Sequence, residues 1–401
     1  MGLERLTDAE VLAQPLDLPS GGRLKNRLVK SAMSDSLGDG EGNPTEEQAR
    51  LYERWAEGGA ALSVIGEVQT CPDYPEKPGN LVLTPGVDMV ALKALAARGA
   101  VRGAQIWPQL GHAGALAYEG VSRPKGPSPL NVPGLVSEGL SLEEIRALPE
   151  AFAGSAKMAR DAGFGGVLLH AGHGFLFNQF LSPLFNHRTD AYGGSVANRF
   201  RIIAEVIEAV RDAVGSEFDL GIRINATDQL VGGLTEADAL EVVGLLDKTS
   251  VDLIDISGGT YFPGAASSSE GRASGPYFLA FAKEARARSS IPLLVTGGFR
   301  TRAEAAEAVR SGAVDAVGLA RAMVLNPALA QDWLRDAGGD PVFPVFEAPP
   351  RGGITAWYSM RMTALAMDAE EAFVLGLDEA LQVYDARDDA RSVRWKIRFG
   401  L

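Results

Sequence analysis

Gly166-Val-Leu-Leu-His170-Ala-Gly-His173 is a short apolar run, opened by glycine, that breaks into a glycine-containing loop at a pair of histidines. The run is apolar at successive positions, so it reads as a strand buried on both faces, and hence as a parallel strand. The whole chain has four histidines. Two of them stand here, three residues apart. Along a continuing strand, residues i and i+3 point to opposite faces. In a turn at the strand end they can converge, and two imidazole N–H donors could hold one oxygen and stabilise negative charge on it.

Seven further runs share this character: Arg27–Ala32, Ala61–Gly66, Ala104–Gln109, Leu220–Ile224, Leu253–Ser257, Leu293–Thr296 and Ala316–Leu319. Helical patterns lie between them, at Thr45–Glu57, Asp88–Arg98, Ser141–Asp161, Ser195–Val214, Thr235–Lys248, Pro276–Arg288, Thr301–Arg310 and Pro327–Asp336. Ser141-Leu-Glu-Glu144 and Thr301-Arg-Ala-Glu304 have the form of capping boxes. Eight strand-then-helix units predict an α/β fold, a closed (β/α)8 TIM barrel. The barrel and its loops account for residues 1–340. Residues 341–401 form a C-terminal extension, with a Pro-rich connector, a helix-like segment at Ile354–Met367 and a charged tail carrying Trp395. Its aromatic residues predict docking, either on the barrel itself or on a neighbouring subunit of a homodimer or higher homo-oligomer.

Bulk properties exclude several classes. The chain has 401 residues, 46% of them apolar, and a formal charge of 38 − 51 = −13. That balance argues against nucleic-acid binding. Cys71 is the one cysteine, so no intrachain disulfide framework is expected. No run approaches the roughly 20 apolar residues of a membrane span. A soluble, cytoplasmic protein acting on a small molecule is expected.

In such barrels chemistry gathers at the C-terminal ends of the strands. Those ends carry Ser31-Ala32-Met33-Ser34, Gly66-Glu67, Gln109 with His112 beyond it, His170 and His173, Arg223, Ser257-Gly258-Gly259, Gly297-Gly298-Phe299 and Ala320-Arg321. The last two clusters follow strands seven and eight, where barrels commonly bind phosphate through backbone N–H groups. Gln109 offers donors and an acceptor to an amide-like ring edge. Arg223 offers a fixed cation, or else a buried salt bridge inside the barrel. A phosphate, a ring edge and a cation together suit a flavin, whose reduced form carries negative charge that a neighbouring cation stabilises.

On these residues the chain resembles the Old Yellow Enzyme family of FMN-dependent oxidoreductases over roughly residues 15–335. The similarity is carried by Leu24–Met33, Gln109-Leu-Gly-His-Ala-Gly114, His170–Pro183, Arg188–Arg199 and Gly318-Leu-Ala-Arg321. The resemblance implies that Ala32, Met33 and Ser34 line the flavin and that Gly66 gives the ring close backbone approach. It implies that Gln109 bonds the pyrimidine edge and Arg223 sits at N1/O2. Gly297, Gly298, Ala320 and Arg321 would hold the phosphate, and His170 and His173 would bind the substrate oxygen. It implies hydride transfer from NADH or NADPH, through the flavin, to an electron-poor alkene, enone or quinone. Asp190, Asn198 and Arg199 read as scaffold for the loop after strand four. His112 either walls the flavin or satisfies the long loop, and His187 reads as structural.

One position departs from the family. Where it usually has a proton-donating tyrosine, this chain has Phe175; a smaller departure is Ala115, where arginine is common. A phenyl ring donates no proton, and general-acid assistance is typically worth about 10²–10⁴ in rate. Tyr261, Tyr118 and Tyr74 are substitute donors to consider. A substrate that needs no carbon-bound proton, such as a quinone, is a second explanation. A flavin-dependent isomerase or desaturase is a third. A metal-dependent hydrolase built on the two histidines lacks an evident further ligand, so no metal is expected, and a non-catalytic flavin binder would keep its flavin oxidised in the presence of NADH.

Overall fold

The computed structural model describes residues 6–262, 265 and 275–401. Eight parallel strands close into a barrel: β1 Leu28–Lys30, β2 Leu62–Gln69, β3 Gln105–Gly111, β4 Gly166–Ala171, β5 Asp219–Asn225, β6 Leu253–Ser257, β7 Leu293–Thr296 and β8 Ala316–Leu319. Each pairs with its successor, and β8 pairs back onto β1, with Gly318 opposite Val29. The last three strands have the bounds expected from the sequence. The helices are α1 Glu46–Glu57, α2 Met89–Gly99, α3 Leu142–Ala162, α4 Val196–Val214, α5 Glu236–Leu246, α6 Leu279–Arg286, α7 Arg302–Arg310 and α8 Leu329–Leu334. Ser141 and Thr301 each close a capping box, with Glu144 and Glu304.

The barrel interior is filled near its N-terminal end by Val29, Leu62, Val64, Trp107, Leu168, Leu253, Leu294 and Ala316. Gly221 is required there: a Cβ would lie 2.6 Å from Leu168 Cδ1 and 3.2 Å from the Trp107 ring. A small hairpin, Leu16–Asp17 with Arg23–Leu24, plugs this end by adding Leu16, Leu18 and Leu24 to the same cluster. Each such fully buried leucine contributes about 1.5–3 kcal/mol over an exposed one. Because side chains alternate along a strand, the residues two positions further on also face inward. They are Ser31, Gln109, His170, Arg223, Asp255, Thr296 and Gly318, and they form the polar upper layer.

Strand β2 breaks the alternation. Its register against β3 shifts between Ile65 and Val68. Leu62 and Val64 face inward, so an unbroken strand would send Gly66 inward and Glu67 out. The bulge turns Glu67 into the barrel instead. Gly66 bridges to Ser34, and a Cβ on it would lie 2.6 Å from the Met33 carbonyl. Close approach of the β1 loop is therefore what demands glycine at 66.

The long third loop folds into a helical turn at Gly114–Leu116 and a small sheet of Lys125–Gly126, Leu130–Val132 and Leu135–Gly139. Beyond the barrel, α9 Gly353–Ala366 and α10 Leu377–Phe399 pack on each other and on the rest of the chain. Ser359 Oγ donates to the Ser34 carbonyl, Arg391 to that of Ser36 and Trp395 Nε1 to that of Pro72. Lys77 Nζ lies 3.1 Å from the buried carboxylate of Asp388. The charged tail is thus a 23-residue helix, which the sequence reading does not assign.

Candidate active site

A cavity of about 880 Å³ opens above the C-terminal ends of the strands. Ala32, Met33 and Ser34 line it from the β1 loop, His173 and Phe175 from the β4 loop, Arg223 from β5 and Tyr261 from the β6 loop. Gly297, Gly298, Ala320 and Arg321 line the side above β7 and β8. Tyr358 of α9 and Leu381 and Tyr384 of α10 complete the wall. Gly66, Gln109 and His170 lie behind this surface rather than on it.

The residues above β7 and β8 are shaped by their backbone. Gly297 and Gly298 have φ of 124° and 85°, the left-handed region that favours glycine. A Cβ on Gly298 would sit 2.0 Å from the Gly275 carbonyl oxygen. Ala320 heads the short helix Arg321–Leu325, and the Arg321 guanidinium lies 5.6 Å from the centre of the Tyr358 ring.

Arg223 is buried, and its Nε donates to Asp255 Oδ2 at 2.8 Å; Nη2 contacts the same oxygen. Thr296 Oγ1 donates to Asp255 Oδ1 at 2.8 Å and also lies 2.8 Å from Ser31 Oγ. Arg223 is therefore in a buried ion pair and also lines the cavity.

The two histidines form a file rather than a pair side by side. His170 Nε2 lies 3.0 Å from His173 Nδ1, and His173 Nε2 lies 3.2 Å from Ser257 Oγ. His173 is on the cavity wall, and His170, 2% exposed, stands behind it. Burial, reinforced by Arg223, holds the pKa of His170 well below its ordinary value. Burial, then the neighbouring His170 and Arg223, does the same to His173. Both rings are neutral at physiological pH, so each has one donor and one acceptor nitrogen.

His173 has φ of 58°, unusual for a residue with a Cβ. A buried amide network holds it there. Its N–H donates to Asn225 Oδ1 at 2.9 Å, and the N–H of Gly174 donates to Asn178 Oδ1 at 2.7 Å. Nδ2 of each asparagine donates to Asp228 Oδ1 at 3.0 Å. Asn178, Asn225 and Asp228 have no role in the sequence reading, although Asn178 stands inside the His170–Pro183 motif.

Glu67, noted at the end of strand two but given no role, is a further member. It is 5% exposed, accepts from Gln109 Nε2 at 2.6 Å, and places Oε1 2.8 Å from His170 Nδ1. Its Oε2 and the Oε1 of Gln109 are buried with no hydrogen-bond partner among the described residues. Burial pushes the Glu67 carboxyl up to about 8 against the pull of Arg223. Glu76 is pushed up to about 7 by burial and then by Glu67, and accepts from Ser34 Oγ at 2.8 Å. The Ser34 hydroxyl proton therefore points at Glu76.

Phe175 is 3% exposed, with its ring centre 4.8 Å from that of His170 and 5.9 Å from that of Tyr261. Tyr261 is 59% exposed at the rim. Tyr118 also lines the cavity, whereas Tyr74 stacks on His112 at 4.3 Å outside it. His112 Nδ1 accepts from the N–H of Gly114, and burial lowers its pKa to about 3, as suits a neutral structural ring. Arg188 pairs with Asp190 and donates to the carbonyls of Pro127 and Leu140, so it ties the β4 loop to the third loop. Arg199 binds the carbonyls of Leu181 and Gly194. No group of three His, Cys, Asp or Glu side chains among the described residues is placed to hold a metal.

The donor set fits FMN. Gln109 Oε1 is a buried acceptor awaiting a donor, Arg223 presents a cation to the cavity, and the glycine pair offers backbone at the opposite side.

Comparison with known proteins points the same way. The model of the NADH:flavin oxidoreductase / NADH oxidase family matches residues 11–334. The chain is 36% identical over 352 residues to NADH-dependent flavin oxidoreductase iliE of Neonectria sp. (strain DH2), covering 79% of this chain and 46% of that protein. It thus spans less than half of that relative's length. It is 32% identical over 383 residues to the iliE protein of Hypocrea jecorina (strain QM6a), covering 85% of this chain and 95% of that one. An Old Yellow Enzyme homologue from Zymomonas mobilis shares the fold, with a TM-score of 0.72 at 24% identity over 85% of this chain and 98% of its own. By its barrel, its site and the match over residues 11–334, the chain belongs to the NADH:flavin oxidoreductase / NADH oxidase family, the FMN-binding Old Yellow Enzyme group.

Proposed function

We propose that this chain is an FMN-dependent oxidoreductase that moves hydride from NADH or NADPH to an electron-poor alkene, enone or quinone whose oxygen is held at the His170/His173 pair. The observation that carries this reading is the placement of His173 on the cavity wall, neutral, backed by His170 and within the same cavity as Arg223. A neutral imidazole donor at a developing oxyanion stabilises it without adding a proton-transfer cost.

Ala32, Met33 and Ser34 would line one face of the flavin, with Gly66 behind them. Gln109 would bond its pyrimidine edge, Arg223 would neutralise charge beside it, and Gly297, Gly298, Ala320 and Arg321 would hold its phosphate. When bound, the flavin supplies hydride transfer. His173 holds and polarises the acceptor oxygen, the Asn178–Asn225–Asp228 network keeps His173 in its left-handed conformation, and Phe175 covers the acceptor with an apolar face. Relatives are named for NADH and for NADPH, so both are proposed as donors.

The purified protein should be yellow and should bleach anaerobically with NADH or NADPH. A colourless protein that takes up no added FMN sinks the reading. Phe175 favours a second reading, a flavin-dependent isomerase or desaturase, because no phenol stands at that position. Anaerobic mixing of the reduced enzyme with cyclohexenone separates them: prompt flavin reoxidation supports the reductase.

A further inference from the structure

The site already contains a route for a proton, and it does not pass through residue 175. Glu67, His170, His173 and Ser257 form one continuous file: Glu67 Oε1 to His170 Nδ1, 2.8 Å; His170 Nε2 to His173 Nδ1, 3.0 Å; His173 Nε2 to Ser257 Oγ, 3.2 Å. Its inner end is buried and its outer end lies on the cavity wall.

We propose that Glu67 stores the proton that this enzyme delivers to the oxygen of its acceptor, through His170 and His173, and that the acceptor is therefore of the quinone type, which is stable once protonated on oxygen. The inference rests on the oxidoreductase reading given above. Glu67 is a positioning residue: it acts through the two imidazoles and does not touch the substrate.

Each neutral imidazole carries one proton, so the protonation of Glu67 sets the direction of the whole file. With Glu67 protonated, its O–H donates to His170 Nδ1. His170 Nε2–H then donates to His173 Nδ1, and His173 Nε2–H is directed at the cavity wall, where Ser257 Oγ lies 3.2 Å away and gives place to the acceptor oxygen. With Glu67 ionised, every N–H turns round and His173 offers the cavity only a lone pair. Transfer is balanced as follows. The acceptor has taken a hydride, which originates from the reduced nicotinamide, at one of its two quinone oxygens, and the negative charge lies on the other, the one beside His173. An O–H bond forms there as the His173 Nε2–H bond breaks. The His173 Nδ1–H bond forms as the His170 Nε2–H bond breaks. The His170 Nδ1–H bond forms as the Glu67 O–H bond breaks, and Glu67 keeps the electron pair. No residue is oxidised or reduced. The new carboxylate lies in the field of Arg223, which favours the charged form.

The surroundings suit an acid that is protonated at rest. Glu67 Oε2 is buried without a partner among the described residues, a costly arrangement for an ion. The groups facing Glu67 are Gln109 on β3, His170 on β4, Arg223 on β5 with Asp255 on β6, Glu76 after β2 and Tyr261 after β6. Arg223 lowers its pKa and burial raises it, to about 8. Phe175 fits the same scheme, because a proton delivered to oxygen requires no donor over the carbon.

The test is ¹⁵N NMR of the histidine-labelled holoenzyme, which has four histidines to assign, together with quinone turnover. In the wild type, His170 should carry its proton on Nε2 below the Glu67 value of about 8 and on Nδ1 above it. In Glu67→Gln the side-chain amide still donates to Nδ1 but has no proton to give up. His170 should then stay Nε2-protonated at every pH, kcat with a quinone should fall by roughly 10²-fold, and KM should change by less than about threefold. A wild-type His170 that stays Nδ1-protonated on both sides of that pH overturns the proposal, and this arm stands even where the variant does not fold. An unchanged kcat in a folded, flavin-loaded Glu67→Gln also overturns it. If the wild type turns over no acceptor at all, the functional reading fails while the NMR arm still reports on the file of protons.

Discussion

Arg223 and Asp255 are register partners on adjacent parallel strands, and Arg223 Nε donates to Asp255 Oδ2 at 2.8 Å inside the barrel. Both are buried. Removing one partner of a buried pair leaves an uncompensated charge, at a cost of about 3–5 kcal/mol. Asp255→Asn is expected to lose that much stability in urea titration of the flavin-free protein. A loss below about 1 kcal/mol would mean that Arg223 finds another partner.

His173 is the histidine on the cavity face, so its loss should cost transition-state stabilisation directly. His173→Ala should lower kcat/KM by the equivalent of about 2.7–4 kcal/mol, the usual worth of one oxyanion donor. Steady-state kinetics with an enone or a quinone reads this. His173→Asn should retain more activity, because asparagine tolerates the left-handed conformation found here, φ 58°.

Phe175→Tyr places a phenol on the cavity wall beside His170 and His173. Reduction of cyclohexenone should rise by roughly 10²-fold, as expected when a general acid is restored over the carbon. Quinone turnover should stay nearly constant, and the ratio of the two rates in one preparation is the measurement.

Glu67 also makes stability depend on pH. Its folded value of about 8 lies above the ordinary carboxylate value of 4.5, so the folded state holds a proton that the unfolded chain releases. The stabilisation is fully present below about pH 4.5 and is lost as pH rises through about 8. Glu76, pushed up to about 7, adds a term of the same sign. The urea midpoint of the wild type should therefore fall more steeply across that interval than the midpoint of Glu67→Gln. Parallel curves would place the Glu67 carboxyl near its ordinary value.

A Cβ on Gly298 would lie 2.0 Å from the Gly275 carbonyl oxygen, at φ 85°. Gly298→Ala must shift the loop above β7. FMN affinity should drop by about tenfold or more, measured by flavin release on dilution, with little loss of secondary structure.

The barrel was legible because most of the buried parallel strands are nearly continuous in apolarity, a pattern clear in Leu293–Thr296 and Ala316–Leu319. Ala32, Met33, Ser34, His173, Arg223, Gly297, Gly298, Ala320 and Arg321, read from the strand ends, line the cavity, whereas Gly66, Gln109 and His170 stand behind it. Glu67 was visible at such an end, but its inward direction was not, since alternation gives the opposite face and a strand glycine such as Gly66 marks a bulge without saying which way the next side chain turns. Helix α10 was hidden for a related reason: its buried stripe runs Ala380, Tyr384, Asp388, Ser392, Trp395, and two polar members disguise a four-residue spacing. The geometry of the histidines depends on a backbone turn held from outside the motif by Asn225 and Asp228, which no local pattern reports.

The cavity wall is divided between two stretches of chain. The residues beside the histidines and the phosphate loops fall within 11–334, the part matched by the family, while Tyr358, Leu381 and Tyr384 lie beyond it. Part of the shape of the chamber is therefore set outside the stretch that the family shares. Substitutions at these three positions are expected to change which molecules fit the chamber, and grafting the terminal helix pair onto a related barrel would carry that part of the wall with it.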